Sequence, residues 1–180
     1  RGIAYATAPR FQRPGPIEPW EGVRDAVSFG PVSPQVPPLS RVPMAEECLS
    51  LNVIAPADGE ALPVMVFIHG GAYTTGSSRE IPHLGEALVR EGGVVFVNLN
   101  YRLGALGYLD FTRYSDDFDS NIGLRDQVAA LEWVRDSIRG FGGDPHNVTV
   151  FGESAGGNAI TTMLATPAAK GLFARAIVES

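Results

Sequence analysis

The sequence predicts an α/β fold, and three observations predict it. Apolar runs of strand length recur between residues 63 and 180, helical patterns separate them, and glycine or proline marks the boundaries. Val64-Met65-Val66-Phe67-Ile68 is apolar throughout and lies between Pro63 and Gly70, the form of a strand buried on both faces. Residues 94–99 and 148–151 repeat that form. A shorter strand is expected at 51–55, ended by Pro56, and a last one at 174–178.

Helices are expected at 82–91, closed by Gly92-Gly93, and at 122–141. In the second, Leu124, Val128, Leu131, Val134, Ile138 and Phe141 fall at three- and four-residue steps, one apolar stripe. A third follows the 148–151 strand and runs to about residue 165. Residues 100–121 are polar and contain glycine, so they read as a long loop. Pro31, Pro34, Pro37, Pro38 and Pro43 block regular structure, which makes 7–45 an irregular lead-in. The chain thus divides into a Pro-rich lead-in with edge strands at 1–62 and βα units at 63–180.

Length and composition narrow the function classes. A chain of 180 residues with 44% hydrophobic and 19% charged residues builds a real core, which removes a disordered reading. The net charge of −6, with no Lys/Arg cluster, argues against nucleic acid as a partner. No apolar run approaches the roughly 18 residues of a membrane span. Cys48 is the single cysteine, so no intrachain disulfide forms. That and the lack of a signal-peptide pattern favour the cytoplasm, with secretion left open because the chain opens abruptly at Arg1.

Gly152-Glu153-Ser154-Ala155-Gly156 fits G-x-S-x-G and falls between an expected strand and an expected helix. In that turn the residues two before and two after the serine must be small, and the hydroxyl is pushed out above the sheet. The Ala155 N–H then opens a helix, where it points toward developing negative charge. A second element, His69-Gly70-Gly71-Ala72, follows the 64–68 strand; its glycines can present backbone N–H groups to an oxyanion without side chains in the way. No metal-ligand spacing is present, and no metal or organic cofactor is implied.

Eight segments in order carry a family resemblance. They are Gly2-Ile3-Ala4-Tyr5-Ala6, Arg10-Phe11, Glu46-Glu47-Cys48-Leu49-Ser50-Leu51-Asn52-Val53 and His69-Gly70-Gly71-Ala72-Tyr73. Then come Asn100-Tyr101-Arg102-Leu103-Gly104, Asn121-Ile122-Gly123-Leu124-Arg125-Asp126-Gln127, Phe141-Gly142-Gly143-Asp144-Pro145 and the serine turn. With them the chain resembles the type-B carboxylesterase family, and among its members the bacterial para-nitrobenzyl-type esterases.

The resemblance implies the N-terminal portion of one α/β-hydrolase domain acting on small-molecule esters. Ser154 would be the nucleophile, and the N–H groups of Gly71, Ala72 and Ala155 the oxyanion hole. Gly70 and Tyr73 would border the substrate, though an aromatic at 73 also suits plain packing. The family suggests buried ion pairs of Arg10 with Glu46 and of Arg102 with Asp144. Ser33 stands where disulfide-bonded relatives have the partner of Cys48, which leaves Cys48 a buried small residue. The loop between Ser33 and Cys48 lacks tryptophan, which disfavours a quaternary ammonium substrate.

A serine hydroxyl needs a base, and the base an orienting carboxylate, in the chain order Ser, Asp/Glu, His. After Ser154 the one carboxylate is Glu179, and no histidine follows. His69 is expected to orient the oxyanion segment, His83 to be exposed at a helix start, and His146 to sit in the Asp144-Pro145-His146-Asn147 turn. The acid and base are therefore expected outside this chain, in the remainder of its own fold, and the 180 residues alone to be inactive and poorly soluble. Two other readings stay open: a non-catalytic cholinesterase-like binding or adhesion domain, and an esterase of the hormone-sensitive-lipase-like group.

Overall fold

The computed structural model describes residues 1–36, 42–80 and 82–180, the side chains of 82–84 excepted. The expectations for Pro37, Pro38 and the His83 side chain lie outside the described residues. Among the described residues six strands form one sheet: β1 (Ile3–Ala4), β2 (Ser50–Ile54), β3 (Leu62–Ile68), β4 (Val95–Leu99), β5 (Gly143–Glu153) and β6 (Arg175–Glu179). Their order is β1-β2-β4-β3-β5-β6. β2 pairs antiparallel with β1 and with β4, and the remaining neighbours are parallel. Among the described residues four α-helices accompany them: α1 (Pro82–Gly92), α2 (Gly104–Tyr108), α3 (Ile122–Ser137) and α4 (Ala155–Leu164).

The apolar runs are buried on both faces because helices cover both. Side chains alternate along a strand, so Val64, Val66 and Ile68 of β3 join Val95, Val97, Leu99, Val148 and Val150 on one face. Against that face pack Leu131 and Val134 of α3 and Ile160 and Met163 of α4. On the other face Phe67, Phe96 and Phe151 form a separate aromatic cluster beneath Leu88 and Val89 of α1. The lead-in also belongs to the core: Tyr5, Ala6, Ala8 and Val32 are buried, and the Tyr5 hydroxyl donates to Asn100 O at 2.6 Å.

Three expectations are corrected. Residues 100–121 are not all loop: they contain α2 and a 3-10 turn at Thr112–Tyr114. The Gly-Ala-Leu-Gly-Tyr stretch has poor helix propensity, and packing forms it. A Cβ on Gly107 would lie 2.0 Å from Arg102 O, and one on Gly123 of α3 would lie 2.5 Å from the Tyr108 ring. Arg102 pairs with Asp126, not Asp144. Arg102 follows the C-terminal end of β4, whereas Asp144 sits at the N-terminal end of β5, and these strands run parallel through β3, so the two residues lie at opposite ends of the sheet. The Arg10–Glu46 pair does form, but it is exposed rather than buried.

The Asp144-Pro145-His146-Asn147 segment lies within β5 as an irregularity. Between the Leu62/Gly143 and Val64/Val148 pairs β3 advances two residues and β5 five, so this segment bulges from the ladder. The helix expected to reach residue 141 changes to a 3-10 turn over Ile138–Phe141, closed by Gly142 at φ 79°.

Candidate active site

Parallel strands of one sheet deliver their C-terminal ends to one rim, where open α/β sheets place their ligand sites. At this rim β3 runs into His69-Gly70-Gly71 and β5 into Ser154, while β6 ends beside them at Glu179. Ser154 occupies the single residue between β5 and α4, with φ 57° and ψ −120°. Such a conformation costs a non-glycine residue about 1–3 kcal/mol and persists where the surroundings over-determine it. The Ser154 N–H donates to Glu179 O and the Asn158 N–H to Ser154 O, both at 2.9 Å.

The flanking glycines are required by contact. A Cβ on Gly156 would lie 2.0 Å from Ile68 O, and one on Gly152 would lie 2.7 Å from the same carbonyl. Gly157, which the motif does not include, is equally confined, since its Cβ would lie 2.8 Å from Glu179 O. The turn leaves Ser154 exposed while Ala155 is buried at the first position of α4.

The His69-Gly70-Gly71-Ala72-Tyr73 segment lies against this turn. A Cβ on Gly70 would sit 3.2 Å from the Ser154 Cβ, so Gly70 lies beside Ser154 with no room for a side chain between them. Gly71, Ala72 and Tyr73 follow with φ of 101°, 52° and 60°. The Gly71 carbonyl accepts the N–H groups of Thr74 and Thr75 at 2.9 and 3.0 Å, which turns the chain back on itself. The Tyr73 ring packs on Tyr108 with centroids 4.4 Å apart, and its hydroxyl donates to Asn158 Oδ1 at 2.7 Å. The structure thus brings Gly70, Gly71, Ala72, Tyr73, Ser154 and Ala155 together.

His69 faces inward. Its ring stacks on Tyr101 at 4.4 Å, and the Tyr101 hydroxyl donates to His69 O at 2.7 Å. Nδ1 lies 2.8 Å from Gly70 O; a carbonyl only accepts, so Nδ1 carries the hydrogen. Burial lowers its pKa to about 4, against a smaller opposing effect of the Gly70 bond, and the ring is neutral near pH 7. His146 lies in the bulged segment of β5, eight residues before Ser154 and toward the opposite end of the sheet.

A cavity of about 340 Å³ opens beside the serine turn, lined by His69, Gly70, Gly71, Glu80, Glu153 and Glu179 together with Phe67 and Phe151. Larger clefts of about 660 Å³ lie elsewhere, one at the opposite end of the sheet around Pro56, Glu60, Arg139 and Asp144. None of the three is lined by Ser154 itself; the smaller opening borders its turn through Gly70, Gly71 and Glu153. Among the described residues no His/Cys/Asp/Glu group is arranged to hold a metal ion, and no helix is long and apolar enough to cross a membrane.

Cys48 is buried and its thiol is pushed up to about 12, chiefly by burial. It sits beside Ser33, whose hydroxyl accepts the Leu103 N–H at 3.0 Å. Motif reading missed Gly157, Tyr101, Tyr108 and Asn158. The first follows Gly156 directly and is legible as a further small residue; Asn158 lies on the same helix but meets Tyr73 only through tertiary contact, and Tyr101 and Tyr108 reach the site in that way alone.

A central, mostly parallel sheet, helices on both faces and a strained serine turn at the strand ends define an α/β-hydrolase fold. Comparison with known proteins agrees: the profile described as "Carboxylesterase family" matches residues 1–180, and the chain belongs to that family. It is 49% identical over 191 residues to the para-nitrobenzyl esterase of Bacillus subtilis (strain 168), covering 100% of this chain and 39% of that protein. It is 43% identical over 198 residues to human carboxylesterase 3, covering 99% of this chain and 34% of that one. A solved thermophilic PNB esterase superposes with a TM-score of 0.95 at 49% identity, over 100% of this chain and 40% of that chain. The chain therefore spans well under half the length of these relatives.

Proposed function

We propose that Ser154 is the nucleophile of a serine hydrolase that cleaves small-molecule carboxylic esters through an acyl-enzyme. The observation that carries this reading is the exposed serine held at φ 57° between β5 and α4, with Gly70 packed against it. In the reaction the Ser154 oxygen attacks the ester carbonyl as a base removes its proton. The N–H groups of Gly71, Ala72 and Ala155 hold the oxyanion of the tetrahedral intermediate. The C–O bond to the alcohol then breaks, the base returns the proton to the leaving oxygen, and water repeats the sequence to release the acid.

The base and its orienting carboxylate are assigned to residues outside these 180. His69 is turned into the core with Nδ1 committed to Gly70 O, and His146 lies far along β5. Every residue of β6 is exposed at the sheet edge, including Ile177 and Val178, which suits an edge that the remainder of the same domain covers. The relatives' esterase and carboxylesterase names support the reaction class.

The test is hydrolysis of para-nitrophenyl esters by the full-length protein and its Ser154→Ala variant. A fall of at least about 10³-fold is expected, along with loss of covalent labelling by a fluorophosphonate. A wild-type protein that neither turns over nor labels would show a binding domain instead. Turnover by the 180 residues alone, abolished by Ser154→Ala, would place the base inside them and overturn that assignment.

A further inference from the structure

The loop that approaches Ser154 is strained and is tied to the nucleophile's helix by a single side-chain hydrogen bond among the described residues. Three successive residues, Gly71, Ala72 and Tyr73, hold positive φ, and two of them carry a Cβ. A loop of that shape keeps its geometry when its surroundings hold it. Most of its anchors face away from the serine. Tyr73 O accepts the Gly104 N–H at 2.7 Å, and the Tyr73 ring rests on Tyr108. Among the described residues, the Tyr73 hydroxyl makes the one side-chain hydrogen bond between this loop and α4, to Asn158 Oδ1 at 2.7 Å.

Asn158 is joined to the nucleophile as well. It lies four residues after Ser154, on the same side of the first turn of α4, and its N–H donates to Ser154 O. A circuit results: Ser154 to Asn158 through the helix turn, Asn158 to Tyr73 through the hydroxyl, and Tyr73 back through Ala72 and Gly71 to Gly70, which lies beside Ser154. The N–H groups of Gly71, Ala72 and Ala155 fall on this circuit. Its hydrogen bond is exposed, so its contribution to overall stability is small. Its geometric consequence is larger, because oxyanion donors act over tenths of an ångström.

We propose that Tyr73 and Asn158 are a positioning pair whose hydrogen bond sets the spacing between the oxyanion loop and the nucleophile turn. The proposal rests on the reading of Ser154 as nucleophile. It gives Tyr73 a part distinct from lining the substrate or packing on Tyr108: the hydroxyl, and not the ring, governs the rate.

The experiment uses the full-length protein with Tyr73→Phe, Asn158→Ala and the double variant. Each is measured for kcat and KM on a para-nitrophenyl ester and for affinity toward a trifluoromethyl ketone, whose serine adduct is tetrahedral. Each single change is expected to lower kcat about ten-fold and weaken the ketone similarly, with KM and melting temperature nearly unchanged. The double variant is expected to match the singles, since either change breaks the same bond. Wild-type kcat and ketone affinity in Tyr73→Phe, or losses that multiply in the double variant, overturn the proposal. Fluorophosphonate labelling of the wild type separates the two failures: a labelled parent with unaffected variants sinks the pair alone, and an unlabelled parent sinks the nucleophile reading and the pair with it.

Discussion

His69 is the residue whose surroundings most directly set a measurable property. It is 2% exposed, and burial holds its pKa near 4, whereas an unfolded chain returns it to about 6.5. Between those values the unfolded state binds a proton that the folded state refuses, so stability rises with pH across that window. Stability present above about pH 6.5 is lost as pH falls toward 4. The melting temperature of the full-length protein is expected to drop on acidification from pH 7 to 4.5, and to drop less in His69→Gln. Identical slopes in the two proteins would show that other groups carry the acid sensitivity. Tyr101 contributes from beneath, its ring stacked on the imidazole and its hydroxyl on the His69 carbonyl.

The β5–turn–α4 unit is the element on which the site depends. Gly156 has no room for a side chain, because its Cβ would meet the Ile68 carbonyl, backbone of the central strand that has nowhere to retreat. Gly156→Ala is expected to destabilise by about 1–3 kcal/mol or more and to abolish fluorophosphonate labelling by displacing Ser154. Gly140→Ala is the control: nothing lies within 4 Å of its Cβ, so the melting temperature and labelling should hold. Retained labelling in Gly156→Ala would mean that the turn tolerates a different path. The contrast with α2 is instructive. The serine turn announces itself in five residues, whereas α2 is two glycines and a tyrosine that become helical because α3 receives them.

Across the whole molecule, Arg102 and Asp126 tie together parts distant in sequence. The Arg102 N–H, Nε and Nη2 donate to the Asp126 carboxylate at 3.1, 2.8 and 2.6 Å, and Nη1 donates to Pro9 O at 2.8 Å. Lead-in, rim loop and α3 thereby share one buried ion pair. Burial raises the Asp126 pKa, and the Arg102 donors work against that rise. Removing one partner leaves an uncompensated buried charge, so Asp126→Ala should cost about 3–5 kcal/mol in denaturant titration of the full-length protein. An Arg102→Met/Asp126→Leu variant should recover part of that loss. A cost for Asp126→Ala below about 1 kcal/mol, the range of an exposed pair, would refute the buried-pair account.

Local pattern determined a good deal of this protein without tertiary help. The strand cores at 64–68, 94–99 and 148–151 are legible as apolar runs and a shorter strand at 51–55 by its ending at Pro56, α3 by its stripe, and the serine turn by its two glycines and its place between strand and helix; the extension of β5 back to Gly143 is not. Those features are legible because burial on two faces demands unbroken apolar sequence, and a tight turn demands small residues at fixed offsets. Tertiary structure alone decided the partner of Arg102, which depends on which end of a parallel sheet each residue reaches. It also decided the formation of α2 and the meeting of Tyr73 with Asn158, 85 residues apart. None of these has a local signature, because each arises where the chain returns to itself after a crossover whose length the sequence pattern does not register.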